Sequence, residues 1–195
     1  DRVLESPLFR RMQYVGISGG EPFLRDDLPE MVDVFGDRCR ELRRISLTTN
    51  GLLSGRVRTV LPELGERFRR RGNLLDVSVS THARGEALSA IYGVHDAFAR
   101  VTETIRLLVE LRRLGELTFS LNCVLLESNL GEVRKLGTWA KSHGYPISFV
   151  VGERRERFFT EGLEESFVAQ ADRGMVLSFL RELADNLEAG QITLR

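Results

Sequence analysis

Short apolar runs alternate along the chain with longer amphipathic stretches. The apolar runs predict β-strands at 14–18, 45–49, 74–80, 118–125 and 147–151. The amphipathic stretches predict helices at 27–43, 56–71, 97–114, 130–143 and 164–188. The stretch 97–114 has the clearest pattern, because Phe98, Val101 and Ile105 recur at helical spacing. Regular alternation of strands and helices predicts βαβ units, and therefore an α/β fold with a parallel sheet.

The predicted strands are apolar on one face only. The apolar face carries Ile45, Leu47, Val77, Val79, Phe119, Leu121, Cys123 and Leu125. The opposite face is small and polar, with Ser46, Thr48, Ser78, Ser80, Ser120, Asn122 and Ser148. We therefore expect one face to pack on helices and the other to line a wet or ligand-filled space.

An antiparallel sheet and an open parallel barrel could both show this alternation. An antiparallel sheet with one solvated face shows the same pattern, but helical connectors between consecutive strands favour parallel pairing. A closed eight-stranded barrel fills its interior with bulky side chains, whereas the inner face predicted here is small and polar. The pattern thus favours an open, partial barrel.

Composition and charge describe an ordinary globular protein. The 195 residues are 42% hydrophobic and 29% charged, with 28 basic and 28 acidic side chains. This balance gives no argument for a nucleic-acid partner, and no apolar run reaches the ~20 residues of a membrane-spanning helix. We expect a cytoplasmic protein with no nucleic-acid and no membrane partner. The two cysteines, Cys39 and Cys123, match no disulfide or metal-ligand spacing, so we predict no metal ligands in this chain.

The most informative local feature is the segment Ser18-Gly19-Gly20-Glu21-Pro22, which follows the first predicted strand. Two adjacent glycines allow a ligand to approach the backbone closely. Small molecules tend to bind where the strands of an α/β sheet end. Glu21 places a negative charge at this point, so the segment predicts a ligand that carries a cationic group.

Further motifs follow at the ends of the later strands. They are Thr48-Thr49-Asn50-Gly51, Val77-Ser78-Val79-Ser80, Gly93-Val94-His95-Asp96, and Asn122-Cys123-Val124-Leu125-Leu126 followed by Asn129. Each is weak alone, but together with Ser-Gly-Gly-Glu-Pro they occur in the order and spacing of one family. Over roughly residues 10–152 the chain resembles a radical S-adenosylmethionine (SAM) enzyme.

The resemblance implies a fold, two cofactors and a reaction. The fold would be a partial (β/α)6 TIM-like barrel, truncated at the N-terminus, over residues 1–160, followed by a helical extension over 161–195. The cofactors would be SAM and a [4Fe-4S] cluster. Reductive cleavage of SAM would produce a 5′-deoxyadenosyl radical that abstracts hydrogen from a substrate. The implied partners are an electron donor such as flavodoxin or ferredoxin, and a peptide or small-molecule substrate.

The resemblance also assigns residues to the SAM site. The candidates are Gly19, Gly20, Glu21, Pro22, Thr49, Asn50, Ser78, Ser80, Asn122 and Val124. Gly19 and Gly20 would offer backbone groups to the methionine ammonium, and Glu21 would add opposite charge. Pro22 would set the exit direction of the chain, and Asn50 would either shape its loop or touch the ligand. The serines would lie near the ribose, Asn122 near the methionine carboxylate or the ribose, and Val124 near adenine.

One element of the family pattern is missing from the sequence. The family holds its cluster with a Cys-x3-Cys-x2-Cys loop, and this chain contains no such motif. We therefore expect a piece of a longer protein that is inactive alone, and we assign no catalytic residue. Two alternatives stay open at this point: a degenerate relative that only binds a ligand or partner, and an unrelated doubly wound α/β binding domain.

Overall fold

The computed structural model describes residues 4, 6–151, 174, 177–178, 181 and 192–194. The chain divides into two compact units, one formed by Asp1–Val79 with Arg100–Phe119 and the other by Ser80–Ala99 with Ser120–Arg195. The predicted helix 164–188 and the predicted extension 161–195 lie mostly outside the described residues. Of that stretch, residues 174, 177, 178 and 181 are helical.

Strands and helices alternate as the sequence predicts. The strands are β1 (Tyr14–Ile17), β2 (Arg44–Thr49), β3 (Leu74–Ser80), β4 (Thr118–Leu125), β5 (Ile147–Val151) and β6 (Ile192–Leu194). The α-helices are α1 (Pro7–Arg10), α2 (Leu28–Arg38), α3 (Ser54–Arg70), α4 (Gly85–Tyr92), α5 (Ala97–Arg113) and α6 (Leu130–Ser142). Short 3₁₀ helices occupy Pro22–Leu24 and Glu127–Asn129.

The boundaries of the first five strands confirm the predictions to within one residue, but one predicted helix ends too late and one helix was not predicted. The helix predicted at 27–43 ends at Arg38, because Cys39 adopts an extended conformation (φ −94°, ψ 90°). The backbone N–H groups of Arg43 and Arg44 instead donate to the carbonyl oxygen of Gln13, which draws this segment into the sheet. Helix α4 was missed, since only Leu88 in its eight residues is buried and the periodic signal is correspondingly weak.

In the first unit, β1, β2 and β3 pair in parallel in chain order, with Val15 beside Ile45 and Leu47 beside Val77. The predicted alternation is confirmed on β3, where Leu75, Val77 and Val79 are buried between half-exposed neighbours. Helices α3 and α5 contribute buried apolar residues to this core, among them Val57, Leu61, Leu64, Phe68, Val101, Ile105 and Leu108.

In the second unit, β4, β5 and β6 pair in parallel in chain order, with Cys123 beside Phe149 and Ile147 beside Ile192. Strand β6 was not predicted, since three residues are too few to establish a periodicity. Strand β4 alternates as predicted, with Leu121, Cys123 and Leu125 buried. Helix α6 packs closely on β5: a Cβ added to Gly137 would lie 3.6 Å from Phe149 Cζ.

Candidate cofactor-binding site

The carboxylate of Glu21 ties the loop after β1 to the end of β2. Its Oε1 accepts hydrogen bonds from the Phe23 N–H (3.2 Å) and from the Thr49 hydroxyl (2.8 Å). Its Oε2 accepts from the Asn50 N–H at 2.7 Å. Since a carboxylate offers roughly four acceptor positions, about one remains for a ligand. Glu21 thus has a structural role, which the sequence pattern did not indicate.

Thr49 and Gly51 complete the turn that holds Glu21. Thr49 is buried, and its hydroxyl accepts from the Gly51 N–H at 3.0 Å while it donates to Glu21. Gly51 adopts φ +72°, and a Cβ at this position would lie 3.0 Å from Val79 Cγ1. The Gly51 carbonyl oxygen accepts from the buried Thr104 hydroxyl at 2.7 Å. Thr49 is therefore placed as a support for Glu21.

Asn50 shapes its own loop. Its Oδ1 accepts a hydrogen bond from the Leu52 N–H at 2.9 Å, which is an Asx turn. Its backbone N–H is already bonded to Glu21. These hydrogen bonds show that Asn50 shapes its loop, and its contact with a ligand stays a prediction.

Gly19 and Gly20 adopt left-handed conformations, with φ +91° and +56°. A Cβ added to either glycine would meet no atom within 4 Å. Backbone conformation rather than crowding therefore requires glycine here, because side-chain-bearing residues rarely adopt these angles. The space beside both glycines is open to a ligand.

Arg56 on α3 holds the segment that follows Glu21. Its Nε donates to the Phe23 carbonyl oxygen at 3.3 Å. Its Nη2 donates to the Arg25 carbonyl oxygen at 3.1 Å and to the Asp26 carboxylate at 2.9 Å. Sequence reasoning missed Arg56, since contacts with backbone carbonyls leave no motif. Arg56 therefore holds the chain that follows the glycine pair. Pro22 is buried, and its part in setting the exit direction stays a prediction.

Ser78 lies on the half-exposed polar face of β3. Two residues earlier on this face, the Asp76 carboxylate accepts from the Ser46 hydroxyl at 3.2 Å and from the Thr118 hydroxyl at 2.7 Å. Asp76 was not singled out in the sequence, where a lone acid in a polar alternation gives no specific signal. The polar face of the first unit therefore carries a carboxylate as well as hydroxyls.

The second unit contains the remaining candidates. The Asn122 Oδ1 accepts from the Ser148 hydroxyl at 3.3 Å. The Ser80 carbonyl oxygen accepts from the Tyr92 hydroxyl at 2.7 Å. The Val124 N–H donates to Nδ1 of His82 at 3.1 Å. The half-exposed side chain of Val124 alternates with buried neighbours, as does that of Asn122, so both occupy the polar face of β4.

No family model matches the chain. A probable GTP 3′,8-cyclase of Metallosphaera sedula is 32% identical over 158 residues, which are 77% of this chain and 45% of that protein. One of Methanococcus aeolicus is 24% identical over 187 residues, 89% of this chain and 58% of that protein. A solved structure of native anSMEcpe with bound AdoMet and Kp18Cys peptide has a TM-score of 0.63 at 20% identity, covering all of this chain and 55% of its own.

The chain belongs to the radical SAM superfamily. The likeness to the solved structure confirms the predicted fold class, the partial TIM-like barrel of the radical SAM type. The chain spans about half the length of the curated radical SAM relatives it matches. Within the described residues, no helix is long and apolar enough to cross a membrane.

The cysteines of this radical SAM chain do not fit a [4Fe-4S] cluster. Cys39 and Cys123 are both buried. Burial raises the pKa of the Cys39 thiol, and it raises the pKa of Cys123 to about 12. Because the thiolate is the metal-binding form, both thiols are poor ligands at neutral pH. The part of the chain that the structure describes also holds no group of three or more His, Cys, Asp or Glu residues arranged for a metal ion.

Proposed function

We propose that this chain forms the SAM-binding part of a radical SAM enzyme. The hydrogen-bond network of Glu21 carries the proposal, because it fixes a carboxylate with about one free acceptor position directly after Gly19 and Gly20, which lie beside open space. Bound AdoMet in a structure of the same fold supports this choice of ligand.

The methionine end of SAM is assigned to the first unit. Its ammonium group would donate to backbone carbonyls of the glycine pair and to the free acceptor position of Glu21. A hydrogen bond in which both groups are charged is stronger than a neutral one. Thr49, Asn50 and Arg56 would act indirectly, by fixing Glu21 and the chain after it. Ser78 is proposed for a ribose hydroxyl.

The residues of the second unit are assigned separately. Ser80 and Asn122 carry polar groups suited to ribose hydroxyls, and Asn122 also suits the methionine carboxylate. The amide side chain of Asn122 is steadied by Ser148. Val124 offers an apolar surface to adenine, while its backbone is held by other residues of the same unit.

The bound cofactors would supply the chemistry, which is reductive cleavage of SAM to methionine and a 5′-deoxyadenosyl radical. This radical would abstract hydrogen from the substrate. Since Cys39 and Cys123 do not fit the [4Fe-4S] cluster, its ligands would come from residues other than those of this sequence. Chain residues would bind and orient SAM. A reductant such as flavodoxin or ferredoxin and a peptide or small-molecule substrate complete the proposal.

Calorimetric titration of the full-length protein with SAM, ATP and flavin mononucleotide tests this function. We expect SAM to bind and the two phosphate-bearing ligands not to compete. Binding of ATP or flavin in place of SAM would favour a doubly wound binding domain. Production of 5′-deoxyadenosine under a low-potential reductant separates an enzyme from a degenerate relative that binds SAM without cleaving it.

A further inference from the structure

Within the second unit, the segment that follows β3 contacts β4 through a backbone hydrogen bond and a side chain. Strand β3 ends at Ser80, and the Thr81 N–H donates to the Asn122 carbonyl oxygen at 2.8 Å. Two residues further along β4, the Val124 N–H donates to Nδ1 of His82 at 3.1 Å. The imidazole thus serves as the acceptor for this strand N–H.

A second side chain fastens the same end of β4. Asn129 is 1% exposed. Its Nδ2 donates to the carbonyl oxygens of His82 (2.9 Å) and Val124 (2.8 Å), and its Oδ1 accepts from the Leu126 N–H at 2.9 Å. Consequently the Val124 N–H, the Val124 carbonyl and the Leu126 N–H are all satisfied by the side chains of His82 and Asn129.

The hydrogen bond to Val124 determines the protonation state of His82. A ring nitrogen that accepts a hydrogen bond must be unprotonated, so the imidazole is neutral and carries its proton on Nε2. A proton added to Nδ1 would place two donors against each other and break the bond to Val124.

We propose that His82 is a positioning residue that orients Val124 at the end of β4, and that only its neutral form does so. This rests on the proposed function in one respect: Val124 is the residue assigned to adenine. The hydrogen bond that orients Val124 is present in the ligand-free chain and does not itself depend on SAM.

The groups around His82 favour the neutral imidazole. Burial lowers the pKa of His82 from its ordinary value. From α4, the Tyr92 ring meets the imidazole edge-on with centroids 5.8 Å apart. From β4, the Cys123 thiol donates weakly to the His82 carbonyl oxygen at 3.9 Å. The guanidinium group of Arg84 lies over the rings of Phe98 and Trp139.

Two substitutions at His82 separate its functions as acceptor and as titrating group. His82→Asn retains an acceptor, since its Oδ1 occupies nearly the position of Nδ1, but it does not titrate. His82→Leu removes both. His95→Asn is the matched control, because His95 is exposed and contacts Asp96 rather than this cluster.

SAM affinity of the full-length protein is measured by calorimetry between pH 5.5 and 8.0. We expect His82→Leu to bind about tenfold more weakly at pH 8.0, because the Val124 N–H loses its acceptor and Val124 is no longer held in its orientation toward adenine. We expect His82→Asn to bind as the unmodified protein does at pH 8.0. Because burial lowers the pKa of His82, the unmodified protein and His95→Asn should lose affinity only at pH values below the ordinary histidine pKa of about 6.5. The His82→Asn variant should lack this loss. The difference between the profiles of the unmodified protein and His82→Asn isolates His82, because these two proteins share SAM and every other titratable group.

Unchanged affinity in His82→Leu at pH 8.0, or an unchanged acid loss in His82→Asn, overturns the proposal. If His82→Leu does not fold, the Asn variant alone decides. If no form binds SAM, the proposed function fails, and His82 is then tested by NMR on the ligand-free protein. An unprotonated Nδ1 whose titration shifts the Val124 amide resonance supports the positioning role, and an Nδ1-protonated ring refutes it.

Discussion

The Glu21 carboxylate and the Asn50 backbone N–H are joined by a 2.7 Å hydrogen bond between the loop after β1 and the end of β2. An acid that the motif marks for ligand binding therefore also holds two strand ends together. Loss of this carboxylate would affect both stability and SAM affinity, and the two effects are separable by experiment.

Glu21→Ala should destabilise the fold. It leaves the N–H groups of Phe23 and Asn50 and the Thr49 hydroxyl without their acceptor, at a cost of roughly 1.5–3 kcal/mol in free energy of unfolding. Urea denaturation of the ligand-free chain measures this. Glu110→Ala, at an exposed position of α5, is the control. Equal stability of the two variants would show that the Glu21 network contributes nothing.

Three glycine-to-alanine substitutions should rank in a fixed order of stability. Gly55→Ala lies in α3 with open space and should be neutral or stabilising by up to about 1 kcal/mol. Gly20→Ala imposes a left-handed conformation on alanine without a clash and should cost about 1–2 kcal/mol. Gly51→Ala adds crowding against Val79 and should cost more. Thermal unfolding of the three variants tests the order, and a Gly20 variant as stable as Gly55→Ala would contradict it.

Arg56→Lys should loosen the segment after Glu21. Lysine keeps the charge but cannot bond the Phe23 and Arg25 carbonyl oxygens with a planar fork. We expect faster hydrogen exchange at the Leu24 and Arg25 amides and weaker SAM binding. Arg100→Lys, at an exposed site on α5, provides the control. Equal exchange rates in the two variants would show that Arg56 does not hold the segment after Glu21.

The 195-residue chain alone should hold no stoichiometric [4Fe-4S] cluster after anaerobic reconstitution. Cys39 and Cys123 are buried thiols with raised pKa values. Iron and sulfide analysis measures cluster content, and a full cluster would be incompatible with this arrangement. The same burial predicts slow reaction of both cysteines with a thiol reagent until urea is added.

The interpretation of the strands from sequence succeeded because period-two alternation is a local property. Leu75, Val77 and Val79 alternate with polar residues whether or not the neighbouring strands are known. The end of α2 was misplaced for the opposite reason, since the backbone of Arg43 and Arg44 is drawn to Gln13, some 30 residues away in the chain. Nothing within the helix itself signals that competition.

The sequence by itself determined the order of strands and helices, the polar face of the sheet, and the glycines whose conformations other residues rarely adopt. Only the tertiary structure decided that Glu21 is bonded to Thr49 and Asn50, and that His82 satisfies Val124. These partners lie roughly 30 to 40 residues apart. Glu21 meets its partners because parallel pairing of β1 with β2 brings the ends of these two strands together, where unpaired backbone groups require acceptors and donors from side chains.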